Sequence, residues 1–260
     1  MNTKASPAVI VTGASRGIGW AAARWLGAAG ATVILNARSR APLEALAAAI
    51  QAAGGRAHVA VGDVADRDDC RSIVAAALER AGRIDALVNN AGRLEPIGRI
   101  GDAEPEGWRR SWEVNVLAPI LLTRAALPEL RRSRGRVVNV SSGAATHPVA
   151  GWGAYCQAKA ALNMFTELLA VEEPEVVAVA VRPGVVDTRM QQVIRETGAR
   201  GMDRAEHLRF RELHASGRLL PPAGPGRALA VLALRAPSPL SGRFLSWDAP
   251  EVRALLEAGS

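Results

Sequence analysis

The chain is predicted to be an α/β protein in three layers: a doubly wound, mostly parallel sheet of seven strands with helices on both faces, in one domain over residues 1–260. Two observations predict this. Short apolar runs of strand length alternate with longer Ala/Leu-rich stretches of helical period, and a βαβα order implies a parallel sheet covered on both sides. No Pro/Gly/Ser linker, internal repeat or low-complexity tract divides the chain in two.

The first strand is AVIVTG (8–13), and TGASRGIG sets Gly13, Gly17 and Gly19 at the opening of a helix over 17–29. Strand, glycine turn and helix in that order let backbone N–H groups and the helix dipole receive a pyrophosphate, so a Rossmann-like dinucleotide site is expected. The second strand, ATVILNA (31–37), runs into Arg38 with no carboxylate nearby, although an acid about 20 residues past the glycines is what holds the ribose of NAD. Arg38, together with Arg16 in the glycine turn, suits a 2′-phosphate instead. The expected cofactor is NADP(H).

Further along, a helix is expected over 40–53, a strand at RAHVAVG (56–62), a helix over 66–81 and a strand at IDALVNN (84–90). A long helix over 108–131, a strand at GRVVNVSS (135–142), a helix over 153–172 and strands at VVAVAVRPG (176–184) and GRFLSW (242–247) complete the pattern. The alternation lapses over 185–223, which is polar, Arg-rich and helical in pieces. An insertion after a late strand of a doubly wound sheet lands over the carboxyl edge, so this segment is a candidate lid or substrate wall, with a plain surface insertion as the alternative.

Tyr155 is the only tyrosine, and Lys159 is one of two lysines, the other being Lys4. A lysine four residues after a tyrosine lies one helical turn away on the same face, near enough for its charge to stabilise a phenolate. That pair suits protonation of an alkoxide left by hydride transfer to a ketone. Arginine would serve poorly as a compact charge here, and phenylalanine carries no proton.

The glycine spacing G-x-x-x-G-x-G, Asp63 in VGDV, NNAG at 89–92, Asn115 in WEVNVLAP, Ser142, the Tyr155/Lys159 pair and RPGVVDT at 182–188 resemble, in order and spacing, the short-chain dehydrogenase/reductase family. The resemblance implies that the glycine turn binds cofactor through Gly13, Ser15, Arg16, Gly17, Ile18 and Gly19. It implies that Asp63 bonds to the adenine, and Arg38, Val64 and Asn90 are counted with it among the cofactor-binding residues. Pro183, Gly184, Val186 and Thr188 would close on the nicotinamide. It also implies that Tyr155 is the acid, that Lys159 binds the nicotinamide ribose, and that Ser142, thirteen residues before the tyrosine, holds the substrate carbonyl. Asn115 would support a water leading from Lys159 to solvent. A homodimer or homotetramer through the long helices ending near 131 and 172 is implied as well.

DTRMQQVIRET, LRFRELHASGRLL and SGRFLSWDAP resemble the branch of sepiapterin and benzil reductases, enzymes of diketones and side-chain ketones. Ser246 stands where pterin-reducing members carry an aspartate, with Asp248 two positions on, which favours the benzil-reductase-like reading. Trp152 and Trp247 would stack an aromatic diketone, with packing at a helix or strand end as the alternative for both. A pterin side-chain ketone reductase and a non-catalytic NADP sensor on the same fold are the alternatives.

Formal charge is +7, but the arginines are scattered, with short clusters only at 108–110 and 130–136 and no interleaved aromatics, so nucleic acid is not expected as a partner. No apolar run spans a bilayer and no signal pattern opens the chain, so the expected location is the cytoplasm, away from membranes. Cys70 and Cys156 read as reduced thiols, no metal site is expected, and His147 reads as an exposed loop residue.

Overall fold

The computed structural model describes residues 6–258, so Lys4 lies outside the described residues. Seven strands form one sheet in the order β3-β2-β1-β4-β5-β6-β7. They are β1 (Ala8–Thr12), β2 (Thr32–Ala37), β3 (Arg56–Val61), β4 (Ala86–Asn89), β5 (Arg136–Val140), β6 (Val177–Arg182) and β7 (Phe244–Ser246). Every neighbouring pair is parallel, so the sheet is wholly rather than mostly parallel. Seven strands were expected and each falls within its predicted run.

The apolar runs persist because both faces are covered. In β1 the alternation of side chains sends Val9 and Val11 to one face and Ile10 to the other. The first face is covered by α1 (Gly17–Ala28), α2 (Arg40–Ala52), α9 (Ala223–Arg235) and α10 (Pro250–Glu257). The second is covered by α3 (Arg67–Ala81), α5 (Ala118–Ser133) and α6 (Gly153–Glu172). Asp66 caps α3 by accepting from the N–H groups of Asp68 and Asp69 at 2.8 and 3.0 Å.

The helix expected over 108–131 is instead three pieces: α4 (Pro105–Trp112), a π-helical stretch Glu113–Leu117, and α5. The widened turn leaves the apolar rhythm almost intact, so periodicity alone does not detect it. Segment 185–223 resolves into α7 (Arg189–Thr197), a short 3₁₀ turn, α8 (Arg204–Ala215) and the approach to α9. No helix among the described residues is long and apolar enough to cross a membrane.

Candidate active site

The strand order reverses at β1, which has β2 on one side and β4 on the other, and the carboxyl ends of β1 and β4 open onto a cleft of about 490 Å³. Crevices at such switch points are where open α/β sheets bind ligands. Its floor is braced by Thr12 and Asn90. The Thr12 hydroxyl accepts from the Asn90 and Ala91 N–H groups, both at 3.0 Å, while Asn90 Nδ2 donates to the Thr12 carbonyl at 2.8 Å. Gly19 stands behind this floor rather than on it. A Cβ there would collide with Asn90 Nδ2 and stand 2.5 Å from the Gly13 carbonyl, so glycine is what lets α1 descend onto the brace.

At the start of α1 the cap position, Arg16, lends no side-chain acceptor, and no acid occupies the first turn. The first-turn N–H groups of Gly17 and Ile18 therefore lie unsatisfied by side chains at residues that line the cleft, an arrangement that fits a phosphate. Gly13, Ser15, Arg16, Arg38, Asp63, Val64, Asn90, Tyr155, Lys159, Pro183 and Thr188 line it too. Gly19, Asn115, Ser142, Gly184 and Val186 do not.

At the far end of β2, Asn36 is fully buried and its amide donates to the Ala60 and Gly62 carbonyls at 3.0 and 3.2 Å. Arg16 and Arg38 are exposed, border the cleft and form no ion pair with a carboxylate among the described residues. Beside them, Asp63 Oδ1 accepts from the Ala65 N–H at 3.1 Å and Oδ2 pairs with Arg110 Nη2 at 2.5 Å. Partial burial works to raise the Asp63 pKa, but the Ala65 N–H, Arg110 and the nearby charge of Arg38 outweigh it, and the carboxyl sits below its usual value.

At the other end of the cleft, Tyr155 and Lys159 occupy one face of α6, both nearly buried, with the ammonium 5.6 Å from the centre of the phenol ring. Lys159 Nζ donates to the Val140 carbonyl at 2.7 Å. Burial pushes the phenol up to about 12, against the pull of a hydrogen bond with Ser142 and with a minor push from Cys156. Burial also pushes the ammonium down to about 8. The phenol thus holds its proton at neutral pH, beside a lysine still charged there.

Ser141 is buried, and its hydroxyl donates to Asn163 Oδ1 at 2.6 Å, whereas the Ser142 hydroxyl accepts from the Ala144 N–H at 3.2 Å and pulls the Tyr155 phenol downward in pKa. Asn115 is fully buried in the π-helical stretch. It donates to the Arg93 carbonyl at 2.8 Å and accepts from the Arg93 N–H at 3.2 Å. A Cβ on Gly92 would sit 3.1 Å from Asn115 Oδ1 and 3.7 Å from Lys159 Nζ, so the side chain missing at Gly92 leaves the two within reach of a common small partner.

The 185–223 segment packs over the tyrosine. Ile194, Met202 and Phe210 join Leu94, Ala144, Trp152 and Tyr155 in one apolar cluster. Trp152 meets Tyr155 edge-on at 6.0 Å and Phe210 at 5.4 Å, and its indole N–H is buried without a hydrogen-bond partner. The segment is tied down where Gly98, Gly151 and Gly201 meet backbone to backbone, since a Cβ on Gly201 would lie 2.5 Å from Gly98 Cα. An Arg99–Asp203 ion pair at 2.5 Å closes the same junction.

Trp247 does not face this chamber. It packs behind the Gly184 turn, where a Cβ on Gly184 would meet Leu220 at 2.7 Å and Trp247 Nε1 at 3.4 Å. Val186 is tied to the chain's return by a bridge with Leu220. Asp248 is occupied by the Ser246 hydroxyl at 2.6 Å and by Arg253 at 3.5 Å. His147 is exposed and bonded to Thr146, and Cys70 is a buried thiol pushed up to about 11 by burial and three nearby aspartates. Among the described residues no group of three or more His, Cys, Asp and Glu side chains is placed to hold a metal ion.

Sequence reasoning missed Arg110, which registers only as half of the WRR cluster, and the wall residues Leu94, Met190 and Val193. The family model described as short chain dehydrogenase matches residues 7–199. A benzil reductase ((S)-benzoin forming) of Saccharomyces cerevisiae is 38% identical, with 92% of this chain and 95% of that protein covered. One of Bacillus cereus is 37% identical over 86% of this chain and 92% of that protein. A solved short-chain dehydrogenase/reductase of Saccharomyces cerevisiae superposes with a TM-score of 0.91 at 38% identity, covering 96% and 99% of the two chains. The chain belongs to the short-chain dehydrogenase family of oxidoreductases.

Proposed function

We propose that this oxidoreductase is an NADPH-dependent carbonyl reductase acting on ketones and α-diketones, the carbonyl becoming a CH–OH group with Tyr155 as the acid. The observation that carries the reading is the buried Tyr155 phenol with the Lys159 ammonium 5.6 Å from its ring, at the end of a cleft shaped for a dinucleotide. A nicotinamide nucleotide, when bound, supplies the hydride. The chain's own residues do the rest. Ser142 donates a hydrogen bond to the substrate carbonyl oxygen, Tyr155 passes its proton to the same oxygen, and Lys159 steadies the phenolate left behind. Asn115 and Lys159 together seat a water for reprotonation across the gap at Gly92.

The apolar chamber of Leu94, Trp152, Met202 and Phe210 suits a ring-bearing ketone, and the relatives named for benzil reduction support that choice. A pterin reductase is the weaker reading, because Asp248 is already held by Ser246 and Arg253. Arg16 and Arg38 support NADP(H) over NAD(H). Met164, Leu168 and Val171 form an exposed apolar row along α6, 54%, 49% and 80% accessible, which supports pairing of copies into a dimer or tetramer. The reading also places the protein in the cytoplasm.

The test is NADPH oxidation against α-diketones, aromatic ketones and sepiapterin. Turnover of the first two classes is expected; tight NADPH binding with no turnover of any compound would point to a sensor instead. A pH profile checks Lys159 separately. Because kcat/KM for NADPH reports the free enzyme, it should fall as pH rises through about 8, where the ammonium loses its proton. A flat profile across that range would remove Lys159 from cofactor capture.

A further inference from the structure

Arg110 lies on α4, 47 residues from Asp63, and the two side chains close one wall of the cleft at 2.5 Å. The pair is about two-thirds shielded on each side, with side-chain exposures of 32% and 30%. Arg110 is itself anchored, since its other nitrogen reaches Glu113 at 3.3 Å, and Glu113 is held in turn by Arg109. Asp63 therefore has one oxygen fixed by Arg110 and the other by the Ala65 N–H. Each carboxylate oxygen carries two acceptor sites, so one site on each remains open.

An unpaired aspartate at the end of a strand rotates freely about χ2 and offers a ligand N–H a different oxygen in each rotamer. A guanidinium on one oxygen and a backbone N–H on the other remove that freedom and keep the group ionised. We propose that Arg110 is a positioning residue for the adenine end of the cofactor, holding Asp63 in the single orientation and charge state in which it accepts from the exocyclic amine of adenine. The inference rests on the reading that Asp63 meets adenine. It adds that discrimination among purines belongs to the Asp63–Arg110 pair and not to Asp63 alone.

The probe is the hypoxanthine analogue of NADPH, which carries a carbonyl oxygen where adenine has its amine. Dissociation constants are read from the fluorescence of the reduced nicotinamide, so no turnover is needed. The wild-type chain is expected to bind NADPH about tenfold more tightly than the analogue, the loss of one hydrogen bond to a charged acceptor. Arg110→Met should bring that ratio to about twofold by weakening NADPH, and Arg110→Lys, which keeps the charge without the fork, should restore only part of it.

If Arg110 only supports the fold, Arg110→Met weakens both nucleotides equally and the ratio stays near its wild-type value, which overturns the proposal. Asp63→Asn separates the inference from the reading beneath it. A wild-type chain that binds the two cofactors equally, with Asp63→Asn doing the same, removes adenine recognition by Asp63 and the inference with it. A wild-type preference lost in Asp63→Asn yet kept in Arg110→Met overturns the inference alone.

Discussion

Tyr155→Phe is expected to lower kcat for ketone reduction by about 10²–10⁴-fold, the range that a well-placed general acid contributes, while the dissociation constant for NADPH moves by less than about twofold. The phenylalanine ring keeps the edge contact with Trp152 and its place beside Ile194, Met202 and Phe210, so the apolar wall should close as before. Only the hydroxyl is removed. Its proton is the one that burial holds up to about 12, and Lys159 stays bonded to the Val140 carbonyl in the variant. The measurement is single-turnover oxidation of bound NADPH with excess diketone, alongside fluorescence titration of the cofactor. A variant that keeps a tenth of wild-type kcat would mean that the proton comes from elsewhere, and the proposed role of Tyr155 would be withdrawn.

How much of this was open to reading before the fold was known depends on the range of each interaction. The strands declare themselves because a parallel sheet buried on both faces needs an unbroken apolar run, as in Val9–Val11 and Val177–Val181. Tyr155 and Lys159 are four residues apart on one helix, so their proximity follows from helical geometry alone. Choosing Ser142 over Ser141 rests on the spacing to Tyr155 alone, while the fold ties the Ser141 hydroxyl to Asn163. The features that escaped involve partners distant in the chain. Arg110 faces Asp63 across 47 residues, and its local setting, a glutamate three residues on, looks like any exposed helix. For Trp247 the sequence left stacking and packing both open, because what fixes it is the Gly184 turn and the Gly224 end of α9, which no local pattern foretells. The π-helical stretch that buries Asn115 adds one residue to a turn without disturbing the apolar order, so a helix predicted from rhythm runs straight through it.

Replacing Arg16 and Arg38 together with alanine is expected to cut the ratio of kcat/KM for NADPH over NADH by about 10²-fold, with Arg38→Ala alone giving about tenfold. A hydrogen bond to a charged group is worth about 1.5–3 kcal/mol, so two guanidinium contacts with a 2′-phosphate could reach about 10⁴-fold. Both side chains are exposed, however, and solvent screening places the expectation at the lower end. Among the described residues neither arginine has an ion pair to release, although the Arg38 charge already acts on Asp63. The same exposure makes the preference depend on ionic strength: it should shrink as salt rises in the parent enzyme and lose that dependence in the double variant. Arg38→Asp should go further than alanine, because a carboxylate repels the 2′-phosphate and accepts from the ribose hydroxyls of NADH. The readout is initial-rate kinetics with both cofactors at low and high salt. A double variant that keeps its NADPH preference within threefold of the parent, or a parent that already favours NADH, would assign the adenosine end to other groups.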